Sequence, residues 1–202
     1  MPPDVFLINR NDPKTIELLA SVKLPTDEIK LMATINHYEK RAELTDRRKA
    51  LRYYLSQRMG LTPDLVPLLK GPTGQVLVDG LYVSVASRGN YIAVAIGNHS
   101  LGVDIETSIE TLPLAVLHPS EIESLEKAKD RPLRAAMIWA AKESAWKALA
   151  LPFTIDPTSL GVCLKDSGEF TVKFTHSVAL KGQVKWHAVL QAAVAYCERC
   201  TI

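Results

Sequence analysis

Residues 81–106, LYVSVASRGNYIAVAIGNHSLGVDIE, commit the middle of the chain to sheet. Apolar residues recur at alternate positions, and Val, Ile and Tyr fit a pleated, half-buried surface. Arg88-Gly89-Asn90 and Gly97-Asn98 are turn sequences that cut the stretch into three strands. The expectation is a three-strand meander. Whatever else the chain forms must be helices or further strands packed on that sheet.

Helical periodicity lies on both sides of it. DVFLINR reads as a first strand, and residues 24–60 then carry two helices. Thr26 and Asp27 are the expected start signals and Gly60 the stop, with Leu44, Leu51 and Leu55 at helical spacing in the second helix. Arg47, Arg48, Lys49, Arg52 and Arg58 make that helix basic, and a solvated face is the simplest reading of most of them. Residues 61–81, rich in proline and glycine, read as a loop, a turn and an edge strand. After Glu106 the pattern is helical again: Ser120 is the expected cap of one helix, and Pro132 opens another that runs to about Ala150. The last fifty residues return to strands around an Asp166-Ser167-Gly168 turn. Strand, helices and strands are thus followed by helices and strands. This order predicts an α+β chain of two similar αβ lobes related by pseudo-two-fold symmetry, each a small antiparallel sheet packed on helices. The lobes are expected at residues 1–100 and 101–202, forming one compact unit.

The 202 residues carry 24 Lys and Arg against 22 Asp and Glu, so the net charge of +2 gives no footprint for nucleic acid. No apolar run approaches the ~20 residues of a membrane span, and the N-terminus lacks the pattern of a signal peptide. A cytoplasmic monomer is expected. Three cysteines, Cys163, Cys197 and Cys200, do not make a disulfide framework. The Cys197-x-x-Cys200 pair is half a zinc site, which His176 and His187 could complete, or simply two thiols on a tail.

Two carboxylates stand out in LGVDIE. On a strand, Leu101, Val103 and Ile105 face a core, while Gly102, Asp104 and Glu106 share the other face. Acids ~7 Å apart on one face repel unless a cation lies between them, and Gly102 leaves room for a ligand to approach. An edge strand carrying solvated acids is the alternative. A second set lies in IWAAKESAWKAL, where Trp139, Glu143 and Lys147 fall at helical spacing with Lys142 beside them. Read alone, it is a helix with a favourable Glu–Lys pair and core aromatics.

Together the two stretches resemble the signature motifs of the 4'-phosphopantetheinyl transferases, roughly G-[IV]-D-x-E and, thirty to forty residues on, W-[STA]-x-K-E-[SA]-x-x-K. Gly102 through Glu106 and Trp139 through Lys147 fit residue for residue. LPTDE and RRKALRYYLSQRMGL are weaker similarities to the family's early helix and basic helix. The length and two-lobed plan resemble the monomeric, surfactin-synthetase-activating type. The resemblance implies transfer of the phosphopantetheine arm of coenzyme A to a serine of an acyl or peptidyl carrier protein. Asp104, Glu106 and Glu143 are the implied Mg²⁺ ligands, and Glu143 is also the implied proton acceptor. Lys147 is the implied neutraliser of phosphate charge, and Lys142 the implied pyrophosphate contact. Trp139 is expected to pack the helix on the sheet, and Glu121 matches a recurrent family glutamate.

The coenzyme side departs from the pattern. A Gly-Lys-Pro aligns with Gly74-Gln75-Val76, without lysine, and a Ser-His pair aligns with Ala86-Ser87, without histidine. The glycines that commonly follow the second motif are absent from KALALPF. Arg88 or Arg52 is expected to contact the 3'-phosphate in their place, with Ser87 beside them. Lys127, Lys129, Arg131 and Arg134 are the expected carrier-facing charges, unless they form only a solvated loop. A non-catalytic relative that binds a carrier or a coenzyme A-like ligand is the alternative. A Mg²⁺ phosphohydrolase is disfavoured because nothing supplies a second metal.

Overall fold

A computed structural model describes residues 2–70, 76–78, 80–152, 154–174 and 178–199. The calls on Gln75, His176 and Cys200 lie outside them. Two five-stranded antiparallel sheets are stacked between helices. The first contains β1 (Asp4–Asn9), β2 (Leu69–Lys70), β3 (Val76–Val78), β4 (Leu81–Arg88) and β5 (Tyr91–Gly97), in the order β1-β5-β4-β3-β2. The second contains β6 (Leu101–Thr107), β7 (Leu160–Leu164), β8 (Glu169–Phe174), β9 (Val178–His187) and β10 (Ala192–Arg199), in the order β6-β10-β9-β8-β7. In both, the first strand lies at one edge beside the last, and the helices fall between the first and second strands. The two αβ lobes therefore repeat one topology, as the order of sequence patterns implies.

Period-two alternation explains the layering. In β5, Ile92, Val94 and Ile96 face α3 (Tyr38–Met59), which answers with Ala50, Leu51 and Leu55. The alternate residues Ala93 and Ala95 meet Leu101, Val103 and Ile105 of β6 and Ala192 and Val194 of β10. On the far face of the second sheet, Ala193, Ala195 and Cys197 pack on α5 (Arg131–Leu149), which contributes Ala141, Ala145 and Ala148. The layers run helix, sheet, sheet, helix. Alanines at the sheet–sheet contact let the two sheets approach closely, and each buried aliphatic side chain contributes about 1.5–3 kcal/mol.

The three strands expected at residues 81–106 form, with turns where the sequence puts them, but they are not one meander. β5 pairs with β4 and β1, while β6 opens the second sheet against β10. Alternation names a strand's faces but not its partner. β6 is tied to the first sheet by a side chain instead: Val103 N–H donates to Ser84 Oγ over 3.1 Å.

Helix α1 (Pro13–Ser21) was not anticipated, although Asp12 accepts from Lys14 and Thr15 N–H and Pro13 opens its first turn. Helix α2 (Thr26–Ala33) begins one residue after Pro25, so Thr26 is its first residue and makes no cap bond. Gly60 ends α3 in the left-handed region at φ 66°. His118, not Ser120, caps α4 (Pro119–Glu126), with a reciprocal bond from Glu121. Helix α5 ends at Ala150 with φ 52°, a conformation that glycine adopts without the Cβ clash.

Candidate active site

The seam between β6 and α5 is set by Gly102. A Cβ there would collide with the Ser144 carbonyl and the Ala148 amide, so the glycine admits the helix backbone rather than a ligand. That contact corrects the reading of Gly102 as an opening for a small molecule. It also lays α5 directly over the polar face of β6. Asp104, 7% exposed, receives a hydrogen bond of 2.7 Å from Lys147 Nζ, which also donates to Val103 O at 3.0 Å.

Glu106 and Glu143 join the same polar group, because Glu106 feels the charges of Asp104 and Glu143, and Glu143 feels that of Asp104. Burial raises the Asp104 pKa, a shift that Lys147 opposes. Burial, Asp104 and Glu143 together push Glu106 up to about 7 against the pull of Arg88. Burial and Asp104 raise Glu143 as well, again opposed by Lys147. Three carboxylates held above their ordinary range by burial, two of them also by a neighbouring acid, form a site with more negative charge than Lys147 and Arg88 offset. Asp104 Oδ2 and Glu106 Oε2 are buried without a hydrogen-bond partner. Arg88 Nη2 lies 3.2 Å from Glu106 Oε2, close enough for an ion pair but not directed as a hydrogen bond. Among the described residues, no three His, Cys, Asp or Glu side chains converge into a ready-made metal cluster. Buried, orphaned carboxylate oxygens are nevertheless hard donors of the kind Mg²⁺ takes, so the residues present fit that ion.

Two basic residues singled out in the sequence are committed elsewhere. Lys142, 1% exposed, places Nζ at 2.8 Å from Glu121 Oε2 and donates to the carbonyls of Val116, Pro157 and Leu160 at 3.1, 2.9 and 2.8 Å. An ammonium has three donors, so none is left for a pyrophosphate. Glu121, fully buried, also accepts from Val162 N–H at 2.8 Å and His118 N–H at 2.8 Å. This pair pins α4, α5 and β7 together. Arg52, 3% exposed, holds Glu28 in a two-point contact and donates to Pro63 O and Val66 O. It ties α3 to α2 and to the segment that follows α3.

Arg88 and Ser87 stand at the end of β4, beside the carboxylates. Ser87 Oγ donates to Glu43 Oε1 at 2.5 Å, and Lys40 Nζ donates to Glu43 Oε2 at 3.3 Å. Arg47 donates to Val85 O at 3.2 Å, and its Nε is buried without a partner. Burial lowers the Arg47 pKa, while Glu43 and Asp104 raise it, which puts this arginine between the two acids. Glu43 escaped the sequence reading altogether, and Arg47 passed as one of several solvated charges. The sequence signal was their i, i+4 spacing on α3, which is common on exposed helices. Trp139 is half-buried on α5, one turn before Glu143.

Of the four residues expected to face a carrier, Lys127 and Lys129 are exposed, with Lys127 bridged to Glu123. Arg131 donates to Leu125 O at 3.3 Å, and Arg134 is held by Ser124 Oγ and Leu164 O. Cys197 is buried, where its thiol is pushed up to about 12 by desolvation, and Cys163 is exposed. Among the described residues no helix is long and apolar enough to cross a membrane.

Residues 100–197, the second sheet with α4 and α5, match the family model described as the 4'-phosphopantetheinyl transferase superfamily. No curated protein matches the chain.

Proposed function

We propose, for a chain whose residues 100–197 belong to the 4'-phosphopantetheinyl transferase superfamily, that it moves the 4'-phosphopantetheine arm of a coenzyme A-type donor onto a serine of an acyl or peptidyl carrier protein. The observation that carries this reading is the seam of Asp104, Glu106 and Glu143 with its two orphaned carboxylate oxygens, lying within the matched segment. Residues 1–100 and 101–202 act in it as two lobes of one working unit, in a cytoplasmic monomer.

Asp104, Glu106 and Glu143 would hold Mg²⁺, which would supply positive charge for the phosphoryl transfer. Glu143 takes the proton of the carrier serine, a role suited to a carboxylate whose basicity burial and Asp104 have raised above its ordinary value. The serine oxygen then attacks the pantetheine-bearing phosphorus. A new P–O bond forms, the pyrophosphate P–O bond breaks, and the adenosine-side phosphate leaves with the bonding electrons. Lys147, anchored by Asp104 and Val103 O, sits where it can neutralise that developing charge. Arg88 at the end of β4, with Ser87 beside it, receives the donor's phosphates, and Arg47 offers them its free Nε–H. The buried Glu121–Lys142 pair keeps α5 in register, so Glu143 and Lys147 stay over β6.

The test is intact-mass analysis of an unmodified carrier incubated with protein, coenzyme A or dephospho-coenzyme A, and Mg²⁺. A gain equal to the phosphopantetheinyl group supports the reading. Carrier binding without a gain from either donor refutes it in favour of a non-catalytic relative.

A further inference from the structure

Ser84 interrupts a face made of small apolar residues. It stands opposite Ala95 of β5, and Ala86, Ala93 and Ala95 surround it on the side of the first sheet that meets the second. It is buried there, where alanine would fill the space as well. A hydroxyl taken out of water costs free energy unless it finds a partner. The partner is the backbone of the other lobe, since Val103 N–H donates to Ser84 Oγ over 3.1 Å. Among the described residues, this is the one hydrogen bond between a side chain of the first lobe and the backbone of β6.

The bond falls on the open side of an edge strand. β6 is paired on one side only, with β10. In an antiparallel ladder, alternate residues turn both backbone groups to the partner strand. Arg199 N–H donates to Ser100 O, so Ser100, Gly102, Asp104 and Glu106 turn theirs to β10, and Val103 turns its own away. Ser84 takes the Val103 N–H. Lys147 Nζ donates to Val103 O at 3.0 Å and to Asp104 Oδ1 at 2.7 Å. Val103, fully buried, is thereby held between the first lobe and α5, one residue before the Asp104 carboxylate. Without the Ser84 oxygen its N–H is buried with no acceptor, and relieving that penalty shifts the backbone that carries Asp104 and anchors Lys147.

We infer that Ser84 is a positioning residue of the seam, acting through Val103 on the Asp104–Lys147 pair. This rests on the transferase reading above and extends its machinery to a first-lobe residue outside the matched segment 100–197. The bonds formed and broken in the reaction are unchanged.

The experiment compares Ser84→Ala, Ser84→Val and Ser84→Thr with the wild type, each shown folded by circular dichroism. Ser84→Val and Ser84→Thr introduce the same shape, so any cost of the larger side chain is common to both, and only Ser84→Thr keeps the acceptor. Ser84→Ala adds no volume. With saturating Mg²⁺, coenzyme A and carrier, kcat is expected to fall about 10–100-fold in Ser84→Ala and Ser84→Val, with KM for both substrates nearly unchanged, and Ser84→Thr is expected to restore most of the rate. A role in stability alone lowers the folded fraction and leaves kcat of the folded protein unmoved. Two readouts are free of catalysis. The Val103 amide should exchange with solvent about tenfold faster in Ser84→Ala, and calorimetry should find Mg²⁺ bound about tenfold more weakly by Ser84→Val than by Ser84→Thr. An unchanged kcat in Ser84→Ala, equal losses in Ser84→Val and Ser84→Thr, or a loss confined to KM overturns the inference while leaving the transferase reading standing. A wild type that modifies no carrier overturns the transferase reading. The Mg²⁺ comparison then decides the role of Ser84 by itself, and equal affinity in Ser84→Val and Ser84→Thr overturns it.

Discussion

Glu106→Gln is expected to make the metal-free protein more stable at alkaline pH while removing a metal ligand. The magnitude follows from the carboxylate's surroundings. Its pKa is about 7 in the folded protein against an ordinary 4.5, because burial and the charges of Asp104 and Glu143 outweigh Arg88. Between these two values the folded state binds more protons than the unfolded state, so stability falls as pH rises through this window. Ionised Glu106 therefore costs the fold up to about 3 kcal/mol at about pH 8, and less than about 1 kcal/mol at about pH 5. Glutamine removes that cost and loses an ion pair with half-exposed Arg88 worth about 0–1 kcal/mol. The net gain at about pH 8 is then about 1–3 kcal/mol, or roughly 2–10 °C in Tm for a chain of this size. Urea unfolding with chelator present, at both pH values, measures it. Mg²⁺ should stabilise the wild type and leave the variant unmoved. A variant less stable than the wild type at the higher pH, or equally stabilised at both, refutes the argument that the seam lacks a cation.

Lys142→Met leaves Glu121 charged and buried and three carbonyls without their donor, so it should cost about 3–5 kcal/mol in urea unfolding. A loss below about 1 kcal/mol would mean that the pair does not hold α4, α5 and β7 together. Lys127→Glu combined with Lys129→Glu reverses two exposed charges between α4 and α5. It should raise KM for carrier roughly tenfold and flatten its salt dependence. Unchanged carrier kinetics would place docking on another surface.

The polar face of β6 and the Trp139–Lys147 run were legible because their chemistry follows one short stretch of chain at a time. Period two put Asp104 and Glu106 on the same face, and period 3.6 put Glu143 and Lys147 there from the other side. The layering was legible for the same reason. What failed needed information from distant parts of the chain. Strand β6 looked like the third strand of a meander, yet its partner β10 lies some ninety residues on. Lys142 and Lys147 share a helix and a motif, but one is sealed against Glu121 and the other sits at the seam edge. A charge in the sequence does not tell whether its acceptors are carbonyls inside the fold or phosphates outside it. Arg52 shows the same ambiguity, since four of its N–H groups turn to Glu28, Pro63 and Val66 inside the fold. Glu43 was invisible because its meaning comes from Ser87, forty-four residues away.

The most direct test is the rate of carrier modification by Glu143→Gln against the wild type, with saturating Mg²⁺ and donor, read by intact mass over a range of pH. The wild-type rate should rise with pH as the seam carboxylates lose their protons, bound Mg²⁺ opposing the upward shift that burial and Asp104 give Glu143 in the metal-free protein. The variant, folded by circular dichroism, should be slower by a factor of about 10²–10⁴ and lose that pH dependence. A variant within about threefold of the wild type, with the same pH profile, would contradict the assignment of the transfer chemistry to this seam.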